Sequence, residues 1–98
     1  MSVPVIVRPE AEGDVTAVHA ELELARPGSG RRFAGRVRAI LERLEVLPEV
    51  YGIVWQGVRG ARVRGFRYVL YYLAFPDRVE VIAVVHGSRD ASAWQSRV

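Results

Sequence analysis

The sequence predicts an α+β domain: a helical hairpin packed on a small, mostly antiparallel four-stranded sheet, in the order β-α-α-β-β-β. Three observations predict it. Two amphipathic helical patterns sit back to back across Pro27-Gly28-Ser29-Gly30. Successive β-type runs with short reversals fill the stretch from Val58 to Val85. A β-branched run, Val3 to Arg8, precedes the helices and is stopped by Pro9. A helix stripe and a strand face each bury only one side, so each needs the other as its cover.

Pro9 opens the first helical pattern, where a missing N–H costs nothing. Glu10, Glu12 and Asp14 place negative charge at the positive end of the helix dipole. Ala11, Val15, Val18, Leu22 and Ala25 recur at steps of three and four and form one stripe. After the Pro-Gly-Ser-Gly turn, Ser29 is the expected N-cap of a second helix. Its stripe is Phe33, Val37, Ile40, Leu41, Leu44 and Leu47, and Pro48 ends it. Glu49 to Gln56 reads as a connector leading into a strand. The alternation Val58/Arg59, Ala61/Arg62, Val63/Arg64 predicts a strand with one core face and one arginine-lined face, with a register slip at Gly60. Phe66-Arg67 is the expected reversal. Tyr68 to Phe75 is nearly all apolar and predicts a central strand. Pro76-Asp77-Arg78 is a turn, Val79 to Val85 the last strand, and Ala91 to Ser96 a terminal helical turn.

A chain of 98 residues predicts one domain, spanning 1–98. There is no cysteine, which removes disulfides, thiolate metal sites and a Cys nucleophile. Two histidines on different elements make a poor ligand set, so no metal and no cofactor are expected. No basic leader is seen, and no apolar run reaches the roughly 18 residues that span a bilayer. The expected location is the cytoplasm, with no membrane partner.

All 14 basic residues are arginine, and the net charge is +3. Residues 1–50 carry seven Arg against eight acids, a net of −1; residues 51–98 carry seven against three, a net of +4. The positive charge lies on the sheet half, which favours an anionic partner, either nucleic acid or an acidic protein segment.

Several short motifs occur in a fixed order. They are Pro9-x-Ala11-x-x-Asp14-Val15, Gly28-x-Gly30-x-x-Phe33, Pro48-x-x-Tyr51, Val63-Arg64-x-Phe66-x-Tyr68-x-x-Tyr71-Tyr72, and Val84-x-His86-x-x-Arg89-Asp90 with Trp94. In order and spacing the chain resembles the RelE/ParE superfamily of toxins from type II toxin–antitoxin pairs. It departs from that pattern at Arg67, where many members have proline, and at His19, where an aromatic is common. The resemblance implies a toxin that arrests growth when free and is neutralised by a cognate antitoxin in a hetero-oligomer. It leaves the target open: RelE-like members cleave messenger RNA on the ribosome, and ParE-like members poison DNA gyrase without hydrolysis. An inactive remnant that only binds antitoxin is the third reading.

If the chain is a metal-independent endoribonuclease, it needs an acid or base and a cation for the phosphorane. Arg64, His86 and Arg89 are the expected catalytic residues. Arginine meets phosphate oxygens in pairs, and histidine is the proton-transfer group of ordinary pKa. Arg59, Arg62, Arg67 and Trp94 are the expected nucleic-acid- or target-binding residues, Trp94 either stacking a base or packing on the sheet edge. Tyr68, Tyr71 and Tyr72 are expected mainly in the core.

Overall fold

The computed structural model describes residues 1–98. The elements run β1 (Val5–Val7), α1 (Pro9–Ala25), α2 (Ser29–Val46), β2 (Ile53–Trp55), β3 (Val58–Arg62), β4 (Tyr68–Ala74), β5 (Val79–His86) and α3 (Ser92–Gln95). The sheet has five strands rather than four, in the order β1-β5-β4-β3-β2. The added strand is β2, cut from the predicted connector. It pairs back on β3 through Gln56 (φ 38) and Gly57 (φ 82), a turn whose twist suits a two-residue hairpin. β1 runs parallel to β5, and every other pairing is antiparallel.

The helical hairpin covers one face of the sheet. Phe33, Val37, Ile40 and Leu44 of α2 and Ala11 and Val18 of α1 meet Ala61, Val63, Leu70, Tyr72, Val79, Val81 and Val84. Both stripes fray at their far ends, where Leu47 and Ala25 are exposed. The opposite face is covered by the chain's last turn: Trp94 of α3 packs on Val58, Ile82, Ala83 and Val85. No helix is long and apolar enough to cross a membrane.

Two local expectations are corrected. Ser29 is the first residue of α2, not its cap; its hydroxyl accepts from Arg32 Nη2 at 3.2 Å. Glu23, at the end of α1, caps α2 instead. Its carboxylate accepts the N–H of Gly28 at 3.0 and 3.1 Å and of Arg31 at 3.1 Å. Three residues fit between the helices because Gly28 turns at φ 92.

The register slip is not at Gly60, which pairs regularly with Tyr71 along an unbroken β3–β4 ladder. It lies in β5: Tyr71 pairs with Ala83 and Tyr72 with Val81, leaving Ile82 as the extra residue of a bulge. The shift sends Val79, Val81 and Val84 to the helices while Ile82, Ala83 and Val85 face α3. β1 stops at Val81, so β5 has no strand neighbour beyond that point on its outer edge. Side chains take over there. Val84 N–H donates to Asp14 Oδ2 (2.9 Å), and Arg97 donates to Ile82 O (3.1 Å) and to both Asp14 oxygens (2.6 and 3.2 Å).

Candidate functional site

The regular β3–β4 ladder divides the arginines that the sequence places on one face. Arg59 falls with Ala61 on the helix side, because strand neighbours alternate. Its guanidinium donates to Tyr51 O (2.7 Å) and Glu49 O (3.1 Å) and meets the Glu49 carboxylate at 3.4 Å. Its side chain is 16% exposed. Arg59 therefore pins the connector after α2 and presents no face to a target, which corrects that expectation. Of the two roles expected for Trp94, the structure gives it packing on the sheet and not stacking on a base. It is 6% exposed, stacked on Tyr71 at 4.2 Å and edge-on to Trp55 at 5.8 Å. A ring held on both sides has no room for a base.

Arg64 stands in the β3–β4 turn. Phe66 N–H donates to Val63 O (3.0 Å), and Gly65 supplies the positive φ of 85 that the third position requires. The reversal is thus centred on Arg64-Gly65 rather than on Phe66-Arg67. Arg64 is exposed there and lines a groove of about 480 Å³ between the turn and α2. Arg62 from β3 and Arg36 and Arg43 from α2 line the same groove, with Ile40, Val63 and Phe66 among its apolar walls and no carboxylate. Arg36 and Arg43 were not expected from sequence. They lie seven apart, each one residue before a core position, Val37 and Leu44, so two helical turns carry both to the same rim.

His86 ends β5 on the other side of Tyr68. Its ring meets Tyr68 edge-on at 5.3 Å, and its Nδ1 accepts the Ser88 N–H at 3.1 Å and lies 2.7 Å from Ser88 Oγ. In the neutral ring held so, the N–H is on Nε2, where it can donate a hydrogen bond to a ligand. His86 is half-buried, not sealed away. It borders two hollows. One, of about 420 Å³, it shares with Arg62, Arg67 and Ser88. The other, of about 390 Å³, it shares with Arg89, and there the carboxylates of Asp14 and Glu21 stand in the wall.

Of the expected catalytic residues, His86 and Arg89 therefore share a hollow while Arg64 lines the groove on α2. Of the expected binding residues, Arg62 and Arg67 come together with His86. Asp90 takes no part: its Oδ1 accepts the Ser92 N–H at 2.9 Å, which starts α3 and holds its carboxyl below the usual range. Burial pushes the Tyr68 and Tyr71 phenols up, so neither is a ready source of phenolate.

The arginines also separate by partner. Arg8, Arg59, Arg78 and Arg97 hold ion pairs with Glu80, Glu49, Asp77 and Asp14, Arg78 reaching Glu80 as well. Arg36, Arg43, Arg62, Arg64, Arg67 and Arg89 hold none. The fold uses the first set, and the second is spare for a ligand.

Among solved structures the chain resembles a chain of the chromosomal ParDE TA system from P. aeruginosa, with a TM-score of 0.75 over 87% of this chain and 96% of that one, at 11% identity. That likeness is one of fold. No curated protein sequence matches. The family model described as "ParE toxin of type II toxin-antitoxin system, parDE" matches residues 5–91, a span that contains every strand of the sheet and the whole helical hairpin. The chain belongs to the ParE toxin family of type II toxin–antitoxin systems.

Proposed function

We propose that this toxin acts by binding and blocking a target, DNA gyrase, and that it cleaves no RNA. The single observation that supports this reading most is the division of the candidate catalytic groups. A ribonuclease needs a cation, a base and an acid within reach of one scissile phosphate. Arg64 borders one groove, while His86 borders two other hollows, one with Arg62 and Arg67 and one with Arg89 whose wall also carries Asp14 and Glu21. At the latter hollow Asp14 is already paired with Arg97, and the unpaired Glu21 carboxylate opposes a phosphorane rather than stabilises it. The ring nitrogen that would serve as base already accepts the Ser88 N–H. Inhibition by binding needs none of these groups to converge; it needs spare donors on an exposed surface, and Arg62, Arg64 and Arg67 are exposed and unpaired.

The test sets two assays side by side. Purified gyrase is expected to lose supercoiling in the presence of the wild-type toxin and of His86→Ala alike. Ribosomes programmed with message are expected to leave the message intact with either. Message cut by the wild type and spared by His86→Ala would overturn the reading in favour of a ribosome-dependent ribonuclease.

A further inference from the structure

We infer that the hollow at the common end of β3, β4 and β5 holds a backbone phosphate of a nucleic-acid strand, and that the toxin binds such a strand by its charge, without reading its bases. This goes beyond the gyrase reading and does not depend on it.

The hollow, of about 420 Å³, gathers donors from three neighbouring strands. Arg62 comes from the end of β3, Arg67 from the residue before β4, and His86 from the end of β5. Adjacent strands lie about 4.8 Å apart, so the three donors stand around one space roughly 10 Å across. Neither arginine holds an ion pair, and no carboxylate lines the hollow. With His86 Nδ1 taken by the Ser88 N–H, the other ring nitrogen is a donor that adds no charge. Tyr68 holds that ring edge-on at 5.3 Å.

This geometry suits one kind of anion. A carboxylate lies in one plane, and a single guanidinium fork fills it. A phosphodiester is tetrahedral and accepts from several directions at once, which donors on three strands supply. Gly87 keeps the hollow clear. Its φ is not positive, so the backbone there does not require glycine. A Cβ would meet Arg67 O at 3.6 Å and Val69 Cγ2 at 3.7 Å, ordinary contact distances, so packing does not require glycine either. A longer side chain at that position would stand in the hollow.

Arg62 also lines the neighbouring groove with Arg36, Arg43 and Arg64, again without a carboxylate. Spare positive charge therefore runs on past the hollow. A free phosphate or a mononucleotide leaves that charge unmatched, whereas a strand carries a phosphate at every step. No ring nearby offers a base a platform. Phe66 is edge-on to Phe33 at 5.4 Å, Tyr51 is edge-on to Tyr72 at 6.3 Å, and Trp94 is buried. Contacts to phosphate alone fix a strand in place and carry no sequence.

The test is binding of fluorescent single-stranded DNA oligonucleotides to the full-length toxin, read by anisotropy over a salt series. Contacts from Arg62, Arg64 and Arg67 predict that log K falls with log salt at a slope of about −2. Arg62→Gln and Arg67→Gln are each expected to weaken binding by about fivefold or more and to flatten the slope by about 0.7. Gly87→Leu changes no charge and is expected to weaken binding by about fivefold or more, because it fills the hollow. Arg26→Gln with Arg38→Gln removes two charges from exposed positions outside the hollow, and is expected to change binding by less than about twofold. Melting temperatures check that each variant folds, and the arginine variants decide if Gly87→Leu does not. Oligothymidylate and a mixed sequence are expected to bind alike within about twofold. Inorganic phosphate and thymidine monophosphate are expected to compete only in large excess. Five results overturn the inference: equal loss in the outside pair, a folded Gly87→Leu that binds like the wild type, a strong preference for one sequence, a monophosphate that binds as tightly as the oligonucleotide, or a glutamate peptide of equal charge that does so. None of them bears on whether gyrase is blocked, so this inference and that reading fail separately.

Discussion

Gly30 shows how closely single residues set this fold. A Cβ built there would lie 2.5 Å from the His19 carbonyl oxygen and 2.6 Å from Glu23 Cγ. Glu23 cannot swing aside cheaply, because its carboxylate holds the N–H groups of Gly28 and Arg31. Gly30→Ala is therefore expected to destabilise by about 1–3 kcal/mol, read as a lower urea midpoint; an unchanged midpoint would mean that the helices close less tightly than described. Asp14 makes the second such point. Its replacement by alanine strips an acceptor from both Val84 N–H and Arg97, with an expected loss of about 2–3 kcal/mol. Neither point is fully legible in the sequence. A Gly in Gly28-x-Gly30 announces a turn, but not which carbonyl it must clear. The Asp14–Arg97 pair joins residues 83 apart, and no local pattern carries a contact of that span.

Titration follows the same residues. The carboxyls of Glu23, Glu80 and Asp90 are all held below their ordinary values, Glu23 by the N–H of Gly28 and Arg31, Glu80 by the guanidiniums of Arg78 and Arg8, Asp90 by the N–H of Ser92. A carboxyl lowered in the folded state contributes its stability above its unfolded pKa, 4.5 for Glu and 3.8 for Asp, and loses it as pH falls through the folded value. Melting temperature is thus expected to be flat near neutrality and to drop below about pH 4.5, less steeply in Glu80→Gln than in the wild type. A wild-type profile flat down to about pH 3 would contradict it.

At the scale of elements, helices and meander strands were readable because their periods are strong: steps of three and four in Ala11 to Leu44, and dense β-type runs from Val58 to Val85. What misled was phase. A glycine at position 60 looks like the weak point of a strand, yet the slip occurs at Ile82, in an apolar run where either phase reads the same. That one-residue shift decides which side each residue of β5 faces, while the regular β3–β4 ladder sends Arg59 to the helix side. Strand β2 was hidden because three residues between Gly52 and Gln56 carry too little pattern to separate a strand from a loop. Its hairpin depends on Gly57 at φ 82, so Gly57→Ala is expected to cost about 1 kcal/mol. A calorimetric melt checks this, and an equal or higher melting temperature would contradict the turn geometry.

For the whole molecule, the family and most of the chain trace were within reach of the sequence, while the site was only half so. Arg62, Arg64 and Arg67 stand exposed around the β3–β4 turn as their positions suggest, but Arg36 and Arg43 enter from α2, whose pattern in the sequence is that of a supporting helix. Arg59 went the other way, from an expected contact with a target to part of the scaffold, and Trp94 took its packing role rather than its stacking one. The chemistry that remains on the surface is spare positive charge on apolar walls, which suits holding a partner better than cutting a strand.

Stoichiometry separates those two modes most directly. Gyrase at a fixed, known concentration is titrated with toxin, and supercoiling is followed at each step. A blocking inhibitor predicts that activity falls in proportion to toxin and is exhausted only when toxin matches gyrase. Full loss of activity at a small fraction of the gyrase present, or no loss at any ratio, would contradict the account.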